Sequence, residues 1–100
     1  MIDVLTNVLT TKDIILSNTQ KQQFQKYYEL LIEWNNKMNL TAITEENEVA
    51  IKHFYDSVTL LMFIDVPCGA KVIDVGTGAG FPGIPLKIVR PDIKLTLLDS

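Results

Sequence analysis

The chain has 100 residues, 47% of them hydrophobic and 21% charged, and a formal net charge of −3. That length allows one small domain, or part of a larger one, with a modest core. The acidic balance excludes a protein that grips nucleic acid through its overall charge, and no apolar run approaches the ~20 residues that span a bilayer.

The start, MIDVLTNVLTTKD, lacks the basic opening and small-residue cleavage pattern of a signal peptide. Cys68 stands alone, so no internal disulfide can form, and a reducing cytoplasm fits. It reads as a packed or partly exposed thiol rather than a nucleophile. Residues 1–66 carry nine acids against five lysines, whereas 67–100 carry three acids against four basic residues.

In chain order, Ile2, Leu5, Val8 and Leu9 fall at helical spacing and predict a short first helix. Ser17 and Gln20, three apart, form a capping-box pattern that starts a second. Phe24, Tyr27, Tyr28, Leu31, Trp34 and Met38 then recur every three or four residues, one apolar stripe on a helix of about five turns. These aromatics read first as core packing and second as a base-stacking surface. Asn35, Asn36 and Asn39 cluster where the helix runs out, and Leu40–Ile43 reads as extended.

Thr44 is the expected cap of another short helix, whose first turn holds Glu45, Glu46 and Glu48 at the positive end of the helix dipole. His53–Ser57 reads as a segment between helices. Val58, Leu60, Leu61, Met62, Phe63 and Ile64 then form a nearly all-apolar helix that is expected to be buried. Asp65–Gly69 links it to the second half of the chain.

That half centres on Lys71–Pro85, KVIDVGTGAGFPGIP. The spacing predicts a strand over Lys71–Val75, a glycine loop over 76–81, a helix over Pro82–Val89 stopped by Pro91, and a second strand over Lys94–Leu98. This is a right-handed βαβ unit. Its glycines serve backbone at φ > 0 and close approach of a ligand, at the carboxyl end of a parallel strand where open α/β sheets bind ligands. Two strands and one helix cannot complete a doubly wound sheet, so the sequence reads as the amino-terminal portion of a longer protein. Its expected division is a helical region, 1–66, and the start of a cofactor-binding domain, 67–100. The fold class is α/β, a helical region followed by the first βαβ unit of a Rossmann-like sheet. Alone, these residues are expected to be inactive and to self-associate through an exposed sheet edge.

Two cofactor templates fit the loop. Gly78, Gly80 and Gly83 match the dinucleotide pattern G-x-G-x-x-G, with Asp99 about 20 residues on as a ribose-binding acid. The longer pattern, Asp74 followed by Gly76, Gly78 and Gly80, ends the strand at Gly76, so a dinucleotide turn counted from Gly78 starts late. That longer arrangement resembles the first motif of S-adenosylmethionine-dependent methyltransferases with a Rossmann-like domain. There the acid closing the second strand binds the ribose hydroxyls, a role that fits Asp99.

Four blocks extend the resemblance: Trp34-Asn35…Asn39-Leu40-Thr41, His53-Phe54-Tyr55-Asp56-Ser57, Asp74 through Leu86 with its Phe81-Pro82-Gly83, and Leu97-Leu98-Asp99-Ser100. From about Ser17 onward the chain resembles the bacterial small-subunit ribosomal RNA methyltransferase G family, also called glucose-inhibited division protein B. The resemblance implies methyl transfer from S-adenosylmethionine to N7 of a guanine in the 530 loop of 16S ribosomal RNA, on a 30S-type substrate, with no metal and no membrane. It implies that Gly76 and Phe81 contact the cofactor while Gly78 and Gly80 shape the turn. Asp74 would bond either the loop amides or the cofactor's methionine amine. Asn39 and His53 are the substrate-side candidates, each with a competing structural role: ending the long helix for Asn39, and a partly buried packing role for His53. N7 carries no proton, so no catalytic acid or base is assigned, to His53 or Asp56 included. The rival readings are a nucleotide-dependent oxidoreductase, resting on Gly78–Gly83 alone, and a non-catalytic assembly module.

Overall fold

A computed structural model of the chain describes residues 1–38, 45–76, 78 and 80–98. The expected Asn39 and Asp99 contacts, the extended Leu40–Ile43 stretch and the Thr44 cap lie outside the described residues. Helix α1 spans Ile2–Thr10 and buries Leu5 and Leu9, two of the four residues that set its period. Helix α2 spans Asn18–Met38 and opens on the predicted capping box. The Ser17 backbone N–H donates to Gln20 Oε1 at 2.8 Å, and the Gln20 N–H donates to Ser17 Oγ at 3.1 Å. Two donors at a helix start are thereby satisfied reciprocally. The Gln20 amide also donates to the carbonyls of Ile88 and Val89, at 3.1 and 3.3 Å, and so ties α2 to the second half of the chain.

Along α2, Phe24 and Leu31 are buried and Tyr27 and Tyr28 half-buried, but Trp34 is 48% exposed. The inward stripe is therefore open at Trp34. Lys37 Nζ lies 5.2 Å from the Trp34 ring centroid, a cation–π arrangement at the surface.

Helix α3 (Glu46–Glu48) is capped by Glu45, whose carboxylate accepts from the Glu48 N–H at 2.9 Å. The helical path then continues without a break through a π-helical stretch, Val49–Tyr55, into α4, Asp56–Phe63. His53–Ser57 is thus part of one helical run and not a connection between helices. The wider π turn sends Val49, Ala50 and Phe54 into the core. Beyond it only Ser57 and Val58 of α4 are buried. Leu60, Met62, Phe63 and Ile64 are exposed, Phe63 by 83%. The expectation of a buried α4 is corrected here: a helix apolar on all sides can be buried only if surrounded, and among the described residues α4 packs against the π-helical stretch and α5.

Strand β1 (Lys71–Val75) pairs in parallel with β2 (Lys94–Leu98), in register from Lys71 opposite Lys94 to Val75 opposite Leu98. Helix α5 (Gly83–Val89) connects them and buries Pro85, Leu86 and Ile88. Both strands fall where the hydrophobic pattern placed them, and α5 starts one residue later, with Pro82 as its cap. The loops feeding the two strands are fastened together by Asp92. Its carboxylate accepts from Arg90 at 2.8 Å and from the Gly69 N–H at 3.0 Å. Arg90 beside it holds the Asp92 carboxyl well below the usual carboxylate range.

The main core gathers Leu5, Leu9, Leu16, Phe24, Leu31, Val49, Ala50, Phe54, Val58 and Ile88, so the helical region and α5 share one interior. The sheet uses one face only. Leu95 and Leu97 lie with Asp74 against the start of α5, whereas Ile73 and Val75 are 62% and 77% exposed on the other face. No helix among the described residues is long and apolar enough to cross a membrane.

Candidate cofactor site

Strand β1 ends at Val75, and the turn begins at Gly76, whose N–H donates to Leu98 O at 2.6 Å. The parallel ladder thus carries straight into the turn. Gly76 and Gly78 have φ of 71° and 56°, in the left-handed region that favours glycine. A Cβ built on either would meet none of the described residues within 4 Å, so among them the backbone here presents an open face. Thr77 and Ala79 lie outside the described residues.

Gly80 is different. Its φ is 97°, and an added Cβ would lie 2.5 Å from Ile84 Cδ1 and 2.8 Å from the Tyr27 hydroxyl oxygen. Its carbonyl accepts from the Ile84 N–H at 2.9 Å, which joins the turn to the start of α5. Gly83 is buried where α5 crosses the sheet; a Cβ there would meet Leu97 Cδ2 at 2.8 Å, Asp74 Oδ2 at 2.9 Å and Leu95 Cδ1 at 3.1 Å. Close helix–strand approach is the task of the last glycine in the dinucleotide pattern, and Gly83 meets that same demand. So the turn has two open glycines on its outer side and two close-packed ones beneath.

Asp74 points to the α5 side of the sheet. Its Oδ2 accepts from the Gly83 N–H at 3.0 Å, so a strand acid caps the first amide of the helix. Of the two bonding roles open to Asp74 from sequence, this contact is with a backbone amide at the head of α5.

Phe81 closes the turn on its inner side. Its ring stacks on His53, with centroids 4.4 Å apart and planes 15° from parallel. Tyr27 and Phe54 lie 5.7 and 6.0 Å from it. A residue assigned from sequence to the cofactor thus meets one assigned to the substrate. Burial pushes the His53 imidazole pKa down from its ordinary 6.5, against an opposing pull from Asp56. Burial, and then the Asp74 charge, raise the Tyr27 phenol far above its ordinary value. Asp56 itself is exposed at the start of α4. Tyr27 and Ile84 touch the turn although nothing in the sequence reading set them there. Tyr27 fits the apolar period of α2, and periodicity alone cannot separate it from an ordinary core residue. The described residues hold no group of three or more His, Cys, Asp or Glu side chains that could bind a metal ion. Cys68 is exposed.

The His53 shift predicts a pH dependence. A histidine whose folded pKa is depressed contributes stability that is fully present above its unfolded value, ~6.5, and is lost as pH falls through the folded value. Acidification below about pH 6.5 should therefore destabilise the full-length protein, and His53→Gln should flatten that slope. Denaturant titrations at several pH values test this; identical slopes in both proteins would refute it.

Helices followed by a parallel strand–turn–helix–strand unit, with an acid in the first strand and glycines after it, define an α/β protein of the Rossmann-like kind. The family model described as rRNA small subunit methyltransferase G matches residues 20–100. The chain belongs to that family. Among curated relatives, a ribosomal RNA small subunit methyltransferase G of Staphylococcus epidermidis is 56% identical over 99 residues, which are 99% of this chain and 41% of that protein. The one from Desulforamulus reducens is 62% identical over 85 residues, 85% of this chain and 35% of that protein. The one from Caldanaerobacter subterraneus subsp. tengcongensis is 57% identical over 99 residues, 99% of this chain and 41% of that protein. The chain therefore spans about two fifths of the length of most such relatives.

Proposed function

We propose that the chain is the amino-terminal part of a ribosomal RNA methyltransferase that takes its methyl group from S-adenosylmethionine and places it on N7 of a guanine in 16S ribosomal RNA. Residues 1–66 form its helical region and 67–100 the start of its donor-binding domain. It works in the cytoplasm on the RNA or the 30S particle. Family membership supports the reaction class and the kind of RNA.

The observation that carries the choice of cofactor is the Asp74 carboxylate on the Gly83 amide. A dinucleotide lays its pyrophosphate on the helix N-terminus after the glycine turn. Here a fixed negative charge already occupies that place, and it would repel a pyrophosphate while leaving a cationic sulfonium compound unopposed. The residues fit such a donor: among the described residues nothing covers the Gly76 and Gly78 backbone, and a Cβ at either would intrude on that space.

When bound, S-adenosylmethionine supplies an electrophilic methyl group on a sulfonium. Guanine N7 would attack that methyl group with an unprotonated lone pair and S-adenosylhomocysteine would leave, so these residues would supply no general base; the His53 ring packs on Phe81. The work of these residues is positioning and exclusion of water. Gly76 and Gly78 offer backbone, Phe81 walls the turn from inside, and Gly80 and Gly83 hold the turn against α2 and the sheet. Asp99 would bind the donor's ribose, and Asn39 and His53 would stand on the RNA side. The first hundred residues alone would be inactive and prone to associate.

Titration of the full-length protein with S-adenosylhomocysteine and with NADH tests the cofactor; we expect binding of the first only. Incubation with S-adenosylmethionine and 30S particles or naked ribosomal RNA, followed by mapping of the modified base, tests the reaction. Binding of NADH without S-adenosylhomocysteine would establish the oxidoreductase reading instead, and donor binding without methylation of either RNA substrate would overturn the assigned reaction.

A further inference from the structure

We infer that Tyr27 is a positioning residue for the glycine turn, the group through which the helical region sets the geometry of the donor site. The inference rests on the reading of that turn as a methyl-donor site. Tyr27 belongs to α2, yet its side chain reaches three parts of the site at once. Its hydroxyl oxygen lies 2.8 Å from where a Cβ on Gly80 would stand, so the phenol tip abuts the turn backbone. Its ring lies 5.7 Å from Phe81 and, nearly parallel, 5.2 Å from Phe54. The Asp74 charge acts on its hydroxyl, and together with burial keeps the phenol in its neutral, proton-bearing form.

Phenylalanine would supply the same packing. The neighbouring core position, Phe24, carries no hydroxyl and contacts Phe54 at 5.3 Å in a similar way. A phenol taken half out of water carries a desolvation cost, and here its polar atom lies beside Gly80 of the turn and within the field of Asp74. Because Gly80 has no Cβ, the Tyr27 hydroxyl and Ile84 can lie close against the inner side of the turn at that residue. A shift of the turn by a fraction of an ångström would misplace Gly76 and Gly78 with respect to the donor, and small misplacements cost disproportionately in such sites.

The test is Tyr27→Phe in the full-length protein, with Tyr28→Phe, whose hydroxyl faces the Glu46 and Glu45 charges instead, as the comparison. Dissociation constants for S-adenosylhomocysteine, KM for the RNA and thermal midpoints are measured for each. We expect Tyr27→Phe to weaken S-adenosylhomocysteine binding about fivefold, the scale of one hydroxyl's polar interaction. RNA KM and the thermal midpoint should stay near wild type, and Tyr28→Phe should bind as wild type does. Wild-type affinity in Tyr27→Phe would overturn the positioning role and leave the donor reading standing. A fall in thermal midpoint that accounts for the lost affinity, or failure of the variant to fold, would assign the hydroxyl to stability and also overturn it. A wild-type protein that does not bind S-adenosylhomocysteine would overturn the donor reading and this role with it.

Discussion

Gly80→Ala is expected to destabilise the full-length protein by on the order of 2–5 kcal/mol and to abolish measurable donor binding, whereas Gly76→Ala should cost only ~1–2 kcal/mol. Both residues sit at positive φ, 97° and 71°, so both substitutions bear the strain of an L-residue in the left-handed region. The difference lies in the surroundings. At Gly76 a methyl group meets none of the described residues within 4 Å; at Gly80 it lands 2.5 Å from Ile84 and 2.8 Å from the Tyr27 hydroxyl. The Ile84 backbone is anchored by its N–H on the Gly80 carbonyl, so relief has to come from rotation of the Ile84 side chain and the Tyr27 phenol, both packed against the core. Urea denaturation of the two variants beside wild type measures the contrast. Equal stability of the two would show that the turn is not pressed against α2 and α5 as described. Gly76→Ala should still impair S-adenosylhomocysteine binding, because its methyl group occupies the open face.

Phe54→Ala should cost about 3–5 kcal/mol, the range for an aromatic removed from a packed interior. Phe54 is fully buried and lies at the centre of the ring cluster, 5.3 Å from Phe24, 5.2 Å from Tyr27 and 6.0 Å from Phe81. Its loss leaves a cavity that those rings cannot close without shifting, and Phe81 is part of the glycine turn. We therefore expect a second effect: weaker S-adenosylhomocysteine binding under conditions where the variant is still folded. Phe54→Leu keeps most of the volume and should cost less than half as much, roughly 1–2 kcal/mol. Chemical denaturation with calorimetric titration separates the two consequences. Donor affinity unchanged in a folded Phe54→Ala protein would mean that the cluster stabilises the core without reaching the turn.

Both predictions concern a site assembled from distant parts of the chain. The motifs that local rules govern were legible. Val72, Ile73 and Val75 followed by glycines gave β1 and its turn, and Leu95, Leu97 and Leu98 before the end gave β2. Ser17 and Gln20 marked the α2 start because their hydrogen bonds close within one turn of helix. Periodicity is silent about which apolar surface finds a partner. It placed α4 in the interior, although Met62, Phe63 and Ile64 face outward. It likewise treated Trp34 as the equal of Phe24, although Trp34 is 48% exposed and Phe24 fully buried.

By itself, then, the sequence determined the strand–turn–helix–strand order, the glycines that the turn requires and the family to which the chain belongs. Each of these rests on neighbouring residues or on a spacing that survives in one dimension. Only the tertiary structure decided that Asp74 closes on Gly83, that His53 stacks on Phe81, and that Tyr27 bears on Gly80 from a helix more than fifty residues upstream. Those contacts join α2, the π-helical stretch and the glycine turn. They depend on where the chain's return places each backbone, to within the ångström or so over which packing and hydrogen bonds act. The turn itself is written in local sequence; what holds it in position is written in the packing of the helices behind it.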